Sequence, residues 1–138
     1  MSHNCSAILI HCMDFRLTDE IYRWLKDNHL NGDCDIVSVA GAGKPLLDDS
    51  ERNYLLSQIE ASIKLHNSDT VILLHHSSCG AYKLEYNFSS VEEEKNKQKE
   101  DMDKVEEIIL KKFKDLKVKK VWMELQDNKG EKIKFVQK

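Results

Sequence analysis

Two short stretches of this sequence carry residues that can bind a soft metal ion. One is Cys12-Met13-Asp14-Phe15-Arg16, and the other is His76-Ser77-Ser78-Cys79-Gly80. Between them they offer two thiolates and an imidazole, with a carboxylate and a guanidinium alongside. Two sulfurs and a nitrogen are a donor set that zinc favours. Three protein ligands leave a fourth position open, which marks a catalytic centre rather than a structural one. Magnesium and calcium, which seek oxygen, match poorly. Asp14 can face the open position as a hydrogen-bond acceptor, and Arg16 can hold Asp14 through a two-pronged ion pair. Each stretch alone also has a plainer reading, as packing residues or a structural ion pair. A Cys12–Cys79 redox pair is a chemical rival, but it leaves His76, Asp14 and Arg16 without a task.

The two stretches matter together because each follows an apolar run read as a buried strand, Ala7-Ile8-Leu9-Ile10 before Cys12 and Val71-Ile72-Leu73-Leu74 before His76. Between them, Leu17, Ile21, Trp24 and Leu25 give one amphipathic helix, opened by Thr18 or Asp19 and stopped at Asn31-Gly32. Residues 35–40 read as a second strand, and Gly41–Pro45 as a loop. Asp48 and Glu51 resemble a capping box before a helix with Leu55, Leu56, Ile59 and Ile63 on its stripe. Asn67-Ser68 ends that helix before the third strand.

Past Gly80 a short helix or loop runs to about Ser90. Residues 92–104 have almost no apolar face and read as a solvated helix start or a mobile surface segment, with a lid as the sharper reading. A stripe of Val105, Ile108, Ile109, Phe113 and Leu116 then gives a further helix. Val118–Leu125 is a fourth strand, Asp127-Asn128-Lys129-Gly130 a turn, and Ile133 and Phe135 alternate along a fifth strand in a hairpin.

The order β-α-β-α-β-α-β-β predicts an α/β three-layer sandwich, in one domain over residues 1–138. Its sheet is mostly parallel, in order 2-1-3-4, with an antiparallel C-terminal edge strand. In such sheets ligands gather outside the carboxyl ends of the strands, where the strand order reverses. Strands 1 and 3 are neighbours at that point, so Cys12 and His76, 64 positions apart along the chain, are expected in one crevice.

Composition narrows the function classes. The formal charge of −3 argues against a nucleic-acid footprint, which needs a basic face. No apolar run approaches the ~18 residues of a membrane span, and the N-terminus lacks the pattern of a signal peptide. The four cysteines, Cys5, Cys12, Cys34 and Cys79, show no disulfide framework, which suits a cytoplasmic protein. Cys5 and Cys34 have no chemical company in sequence and read as free thiols.

At these residues the sequence resembles the β-class carbonic anhydrases, more narrowly a small carbonic-anhydrase-like branch. That family carries C-x-D-x-R after its first core strand and H-x-x-C-G after its third. The resemblance covers roughly residues 6–82. It implies Zn²⁺ held by Cys12, His76 and Cys79, with Asp14 and Arg16 as the catalytic dyad beside it. The implied reaction is hydration of carbon dioxide to bicarbonate by hydroxide generated on zinc, whose bound water has its pKa lowered toward ~7. Asp14 would orient that hydroxide, and Arg16 would keep Asp14 ionised. The resemblance also implies a homodimer, which would cover an otherwise open sheet edge. Two alternatives keep the fold: a zinc hydrolase acting on another small electrophile such as carbonyl sulfide or carbon disulfide, and a non-catalytic module whose zinc is closed off by Asp14.

The chain departs from the family pattern in places. Many active members have Arg-Asn-Ala-Gly after the second strand, where this chain has Ser38-Val39-Ala40-Gly41. Phe15 stands where serine is frequent. The N-terminal helices that clasp a partner subunit in the family have no counterpart here, which bears on the substrate pocket. Gly41-Ala42-Gly43-Lys44 is not a phosphate loop, since Ser38 and Pro45 occupy positions that need Gly and Ser or Thr. Strand alternation sends His75 to the face opposite His76, as a packed or hydrogen-bonded residue. His11 is similar, with a proton relay as its alternative. His3, His29 and His66 read as surface residues.

Overall fold

The computed structural model describes residues 3–126 together with the backbone of residues 133–137. The 127–130 turn lies outside the described residues. Five strands form one sheet: β1 (Ala7–Cys12), β2 (Cys34–Val39), β3 (Thr70–His76), β4 (Lys117–Leu125) and β5 (Ile133–Gln137), in the order β2-β1-β3-β4-β5. The first four are parallel, with Ala7 opposite both Cys34 and Thr70, and Thr70 opposite Lys117. β5 runs antiparallel along β4, with Ile133 opposite Leu125.

Helix α1 (Thr18–Asp27) covers one face, and α2 (Arg52–His66) and α4 (Val91–Lys112) cover the other; α3 (Gly80–Lys83) is a single turn after β3. The pleat sorts the core accordingly. Leu9, Ile72, Leu74 and Val121 pack with Leu17, Ile21 and Trp24 on the α1 side. Ile8, Ile10, Val71 and Leu73 pack with Leu55, Ile59, Met102, Val105 and Ile109 on the other. β1 and β3, buried on both faces, are continuous apolar runs for that reason. No helix among the described residues is long and apolar enough to cross a membrane.

Two local expectations need correction. No capping box forms at Asp48 and Glu51. Lys44–Leu47 is a 3-10 turn, and Asp48 spends its carboxylate on the amide and hydroxyl of Ser50. Glu51 becomes the N-cap residue without a side-chain bond, and the Asp48 carbonyl takes the Arg52 amide. The third strand ends at His76, as expected, so ladder bonds hold that residue.

The largest correction concerns residues 92–104. They form the first half of the 22-residue α4, capped by the Ser90 hydroxyl on the Glu93 amide. Glu94, Gln98 and Asp101 are buried. Their polarity hides a regular stripe: 94, 98, 101, 102, 105 and 109 lie on one helical face. Its second half meets the apolar core, and its first half meets the backbone of the 77–79 loop.

Candidate metal centre

Cys12 ends β1 and His76 ends β3, so adjacent parallel strands deliver both to the same edge of the sheet. Cys79 follows after a tight turn in which Ser78 takes a left-handed conformation (φ 58°). The ligand atoms of Cys12, His76 and Cys79 all lie within 4.8 Å of one another, and all three residues are buried. The two sulfurs are 3.9 Å apart.

The tautomer of His76 follows from its neighbours. Its Nδ1 lies 2.7 Å from the Ser77 carbonyl, which can only accept, so Nδ1 carries the proton. Nε2 is therefore a bare lone pair. It is fully buried and has no hydrogen-bond partner among the described residues. Buried polar atoms without partners are rare, and one that faces two thiols has the surroundings of a metal ligand. The thiols fit a cation as well. Cys12 ionises readily, because the Cys79 thiol donates to its thiolate, with the Gly41 amide adding to this against burial. The same S–H···S hydrogen bond and burial push the Cys79 thiol up. The pair takes one negative charge easily and a second only beside a positive ion.

Asp14 stands beside this set, with Oδ2 4.0 Å from His76 Nε2. Arg16 grips it from the side. Its Nε donates to Oδ1 at 3.0 Å, its second guanidinium nitrogen donates to Oδ2 at 2.6 Å, and its backbone amide donates to Oδ1 at 2.9 Å. These bonds hold the Asp14 carboxyl below the usual carboxylate range. Arg16 also donates to the Ser78 carbonyl at 3.1 Å, which ties the first stretch to the second. The group opens on a cleft of about 720 Å³ lined by Met13, Phe15, Ala40 and Ala81 as well as by Cys12 and the Asp14–Arg16 pair. Met13 is 64% exposed and Phe15 85% exposed.

α4 supplies the supporting layer, which the sequence reading missed. The Glu94 carboxylate accepts from the Ser78 amide at 2.8 Å and the Cys79 amide at 3.1 Å. Gln98 Nε2 donates to the His76 carbonyl at 2.8 Å and to Glu94 at 3.1 Å. Its Oε1 accepts from His75 Nδ1 at 2.9 Å, while His75 Nε2 accepts from the Gly43 amide at 3.1 Å. His75 is thus hydrogen-bonded at both nitrogens on the face opposite His76, and burial lowers its pKa to about 4, keeping it neutral. Asp101 accepts from the buried Tyr82 hydroxyl at 2.8 Å. The signal was available: the stripe through Val105 and Ile109, extended backwards at helical spacing, passes through these three polar residues. His11 commits Nδ1 to the Cys12 carbonyl at 2.7 Å and is half-buried.

A family model described as "Putative carbonic anhydrase" matches residues 2–134. An uncharacterized protein of Rickettsia bellii is 37% identical over 122 residues, covering 84% of this chain and 74% of that protein. Two solved structures share the fold. The carbonic anhydrase from Glaciozyma antarctica has a TM-score of 0.58 at 19% identity, over 99% of this chain and 83% of that one. A tetrameric β-carbonic anhydrase from the ascomycete Sordaria macrospora has a TM-score of 0.53 at 16% identity, over 98% of this chain and 82% of that one. The family match over nearly the whole length, together with the Rickettsia relative, places the chain: it belongs to this carbonic anhydrase family and has the β-class fold.

Proposed function

We propose that this protein hydrates carbon dioxide to bicarbonate, with zinc held by Cys12, His76 and Cys79. The observation that carries the reading is the buried, unpartnered Nε2 of His76, aimed at two thiols 3.9 Å apart. When bound, zinc would lower the pKa of a water toward ~7 and so make hydroxide available at neutral pH. Asp14 would serve beside it as the hydrogen-bond acceptor that orients the attacking oxygen toward the substrate carbon. Arg16 keeps Asp14 ionised and fixes its rotation. The apolar sides of Met13, Ala40 and Ala81 suit an uncharged linear substrate.

Asp14 also bears on the alternative in which it closes the site itself. Both of its oxygens already accept from Arg16. Binding a metal would cost that charge-assisted fork, so the arrangement favours the open state. The reading includes a cytoplasmic homodimer. Free thiols at a metal centre need a reducing compartment, and the exposed Phe15 and Met13 beside the cleft suit cover by a second copy.

The test begins with metal content. Cys79→Ser should lower bound zinc by about one ion per chain. A stopped-flow hydration assay on the zinc-loaded protein should show carbon dioxide turnover, reduced by about 10²-fold or more in Asp14→Ala. Zinc retained in full by Cys79→Ser would remove the centre. A loaded protein without carbon dioxide hydration would move the substrate to another small electrophile.

A further inference from the structure

A second group of ligand-type side chains sits at the opposite end of the sheet and plays no part in the reading above. Cys5 precedes β1, Asp35 is the second residue of β2, and His66 is the last residue of α2. Parallel pairing puts Ala7 opposite Cys34, which brings Cys5 and Asp35 to one corner. α2 returns its C-terminus to that corner, where the Cys5 amide donates to the His66 carbonyl at 2.9 Å. His66, expected at the surface, is half-buried against Asp35. Cys5, expected to be without chemical company, has acquired two ligand-type neighbours.

The ligand atoms of Cys5, Asp35 and His66 lie within 4.8 Å of one another. Three donors converge on one oxygen, Asp35 Oδ2: His66 Nδ1 at 2.6 Å, the Ser62 hydroxyl at 2.7 Å and the Cys5 thiol at 3.6 Å. An aspartate–histidine pair does not need the thiol for its satisfaction. With Cys5 deprotonated and the His66 proton on Nε2, the two instead present sulfur and nitrogen to the point that already holds an anionic oxygen. That mixed set belongs to zinc and its borderline neighbours rather than to magnesium or calcium. The His3 ring stands 4.7 Å from the His66 ring and offers a further imidazole. The His66 and Asp35 side chains keep 26% and 30% of their surface exposed, so an ion can reach them from solvent. Cys34 does not join: its thiol donates to the Asp35 carbonyl at 3.3 Å, and its sulfur is not among the converging ligand atoms.

We propose that Cys5, Asp35 and His66 form a second divalent-metal site of the zinc class, which clamps the segment before β1 to the end of α2. Loading exchanges the His66–Asp35 hydrogen bond for bonds to the ion, leaves the His66 proton on Nε2 and releases the Cys5 proton. Affinity at this site therefore rises with pH.

The full chain is saturated with Zn²⁺, dialysed against metal-free buffer and assayed for metal. The wild type should hold about two zinc ions per chain, and Cys5→Ser and His66→Gln should each lose about one. A Cys12→Ser/Cys79→Ser chain loaded with Co²⁺ should show thiolate-to-cobalt absorption that disappears when Cys5→Ser is added. Failure of the first centre reads differently, as zinc that Cys5→Ser removes and Cys79→Ser leaves. The proposal is overturned if Cys5→Ser and His66→Gln retain the wild-type zinc content, or if the cobalt absorption does not depend on Cys5.

Discussion

Glu94→Gln tests whether the polar face of α4 holds the ligand loop in place. The Glu94 carboxylate is 4% exposed and accepts from the amides of Ser78 and Cys79 and from Gln98. Glutamine keeps the shape but offers one acceptor oxygen. With that oxygen toward Ser78, its NH₂ faces the Cys79 amide and Gln98; turned over, the NH₂ faces the Ser78 amide. Either way at least one loop N–H is left buried and unpaired, and the surviving bonds lose their charge assistance. An unpaired buried amide costs about 1–3 kcal/mol, and the weakened bonds add about 1 kcal/mol, so the variant should lose roughly 2–4 kcal/mol. The loss falls on the loop that presents Cys79, so zinc affinity should drop by about 10- to 100-fold, as for other groups that orient metal ligands. Urea unfolding of the metal-free protein gives the first quantity, as a lower midpoint with an unchanged slope. Titration against a competing chelator gives the second. Stability within about 0.5 kcal/mol of wild type, the range of an ordinary surface change, together with unchanged zinc affinity would refute the reasoning. A stability loss alone would leave Glu94 as a packing residue of α4 with no hold on Cys79.

Three further outcomes follow from other parts of the molecule. Gly41 and Gly32 both have φ near +80°, but a Cβ on Gly41 would come 2.9 Å from Lys44 Cβ and 3.2 Å from Ala81 Cβ, while one on Gly32 meets nothing within 4 Å. Gly32→Ala should cost about 1 kcal/mol by thermal unfolding and Gly41→Ala about 2–3 kcal/mol, with equal losses counting against the close-approach argument. Burial opposes ionisation of Asp35, but the His66 and Ser62 hydrogen bonds outweigh it and hold its carboxyl below 3.8. The stability it contributes is present above the unfolded value and lost as pH falls through the folded one. Asp35→Asn should accordingly flatten the acid limb of a stability–pH curve measured on metal-free protein, and an unchanged limb would contradict this. Tyr82→Phe removes the hydroxyl that donates to buried Asp101, leaving that carboxylate with Lys97 at 3.2 Å. A loss of about 1–2 kcal/mol in urea unfolding is expected, and none would mean the bond contributes nothing net.

Much of the scaffold was legible along the chain because its signals are local. β1 and β3 announce themselves as apolar runs, and α1 shows the spacing of Leu17, Ile21, Trp24 and Leu25. Asn67, at φ 54°, ends α2 in the left-handed conformation that asparagine tolerates. The β2-β1-β3-β4 order needed only the rule that places a switch point between β1 and β3. The capping box failed because Asp48 had a nearer donor in Ser50. The charged half of α4 was misread because charge usually marks a solvated face, and nothing local reveals that Glu94 will meet the amides of Ser78 and Cys79, 16 and 15 residues earlier.

The sequence by itself determined which residues could form the centre. Their types set the chemistry, and their positions at the ends of two adjacent parallel strands set their meeting place. Tertiary structure decided what those residues are once they meet. The proton of His76 sits on Nδ1 only because the Ser77 carbonyl is folded against it, and the loop stays in place only because α4 brings a carboxylate and an amide to its buried N–H and C=O groups. The corner of Cys5, Asp35 and His66 exists only when β1, β2 and α2 are packed. Periodicity is written residue by residue and can be read in order. Hydrogen-bond satisfaction is settled between segments far apart in the chain, once packing has removed water from both.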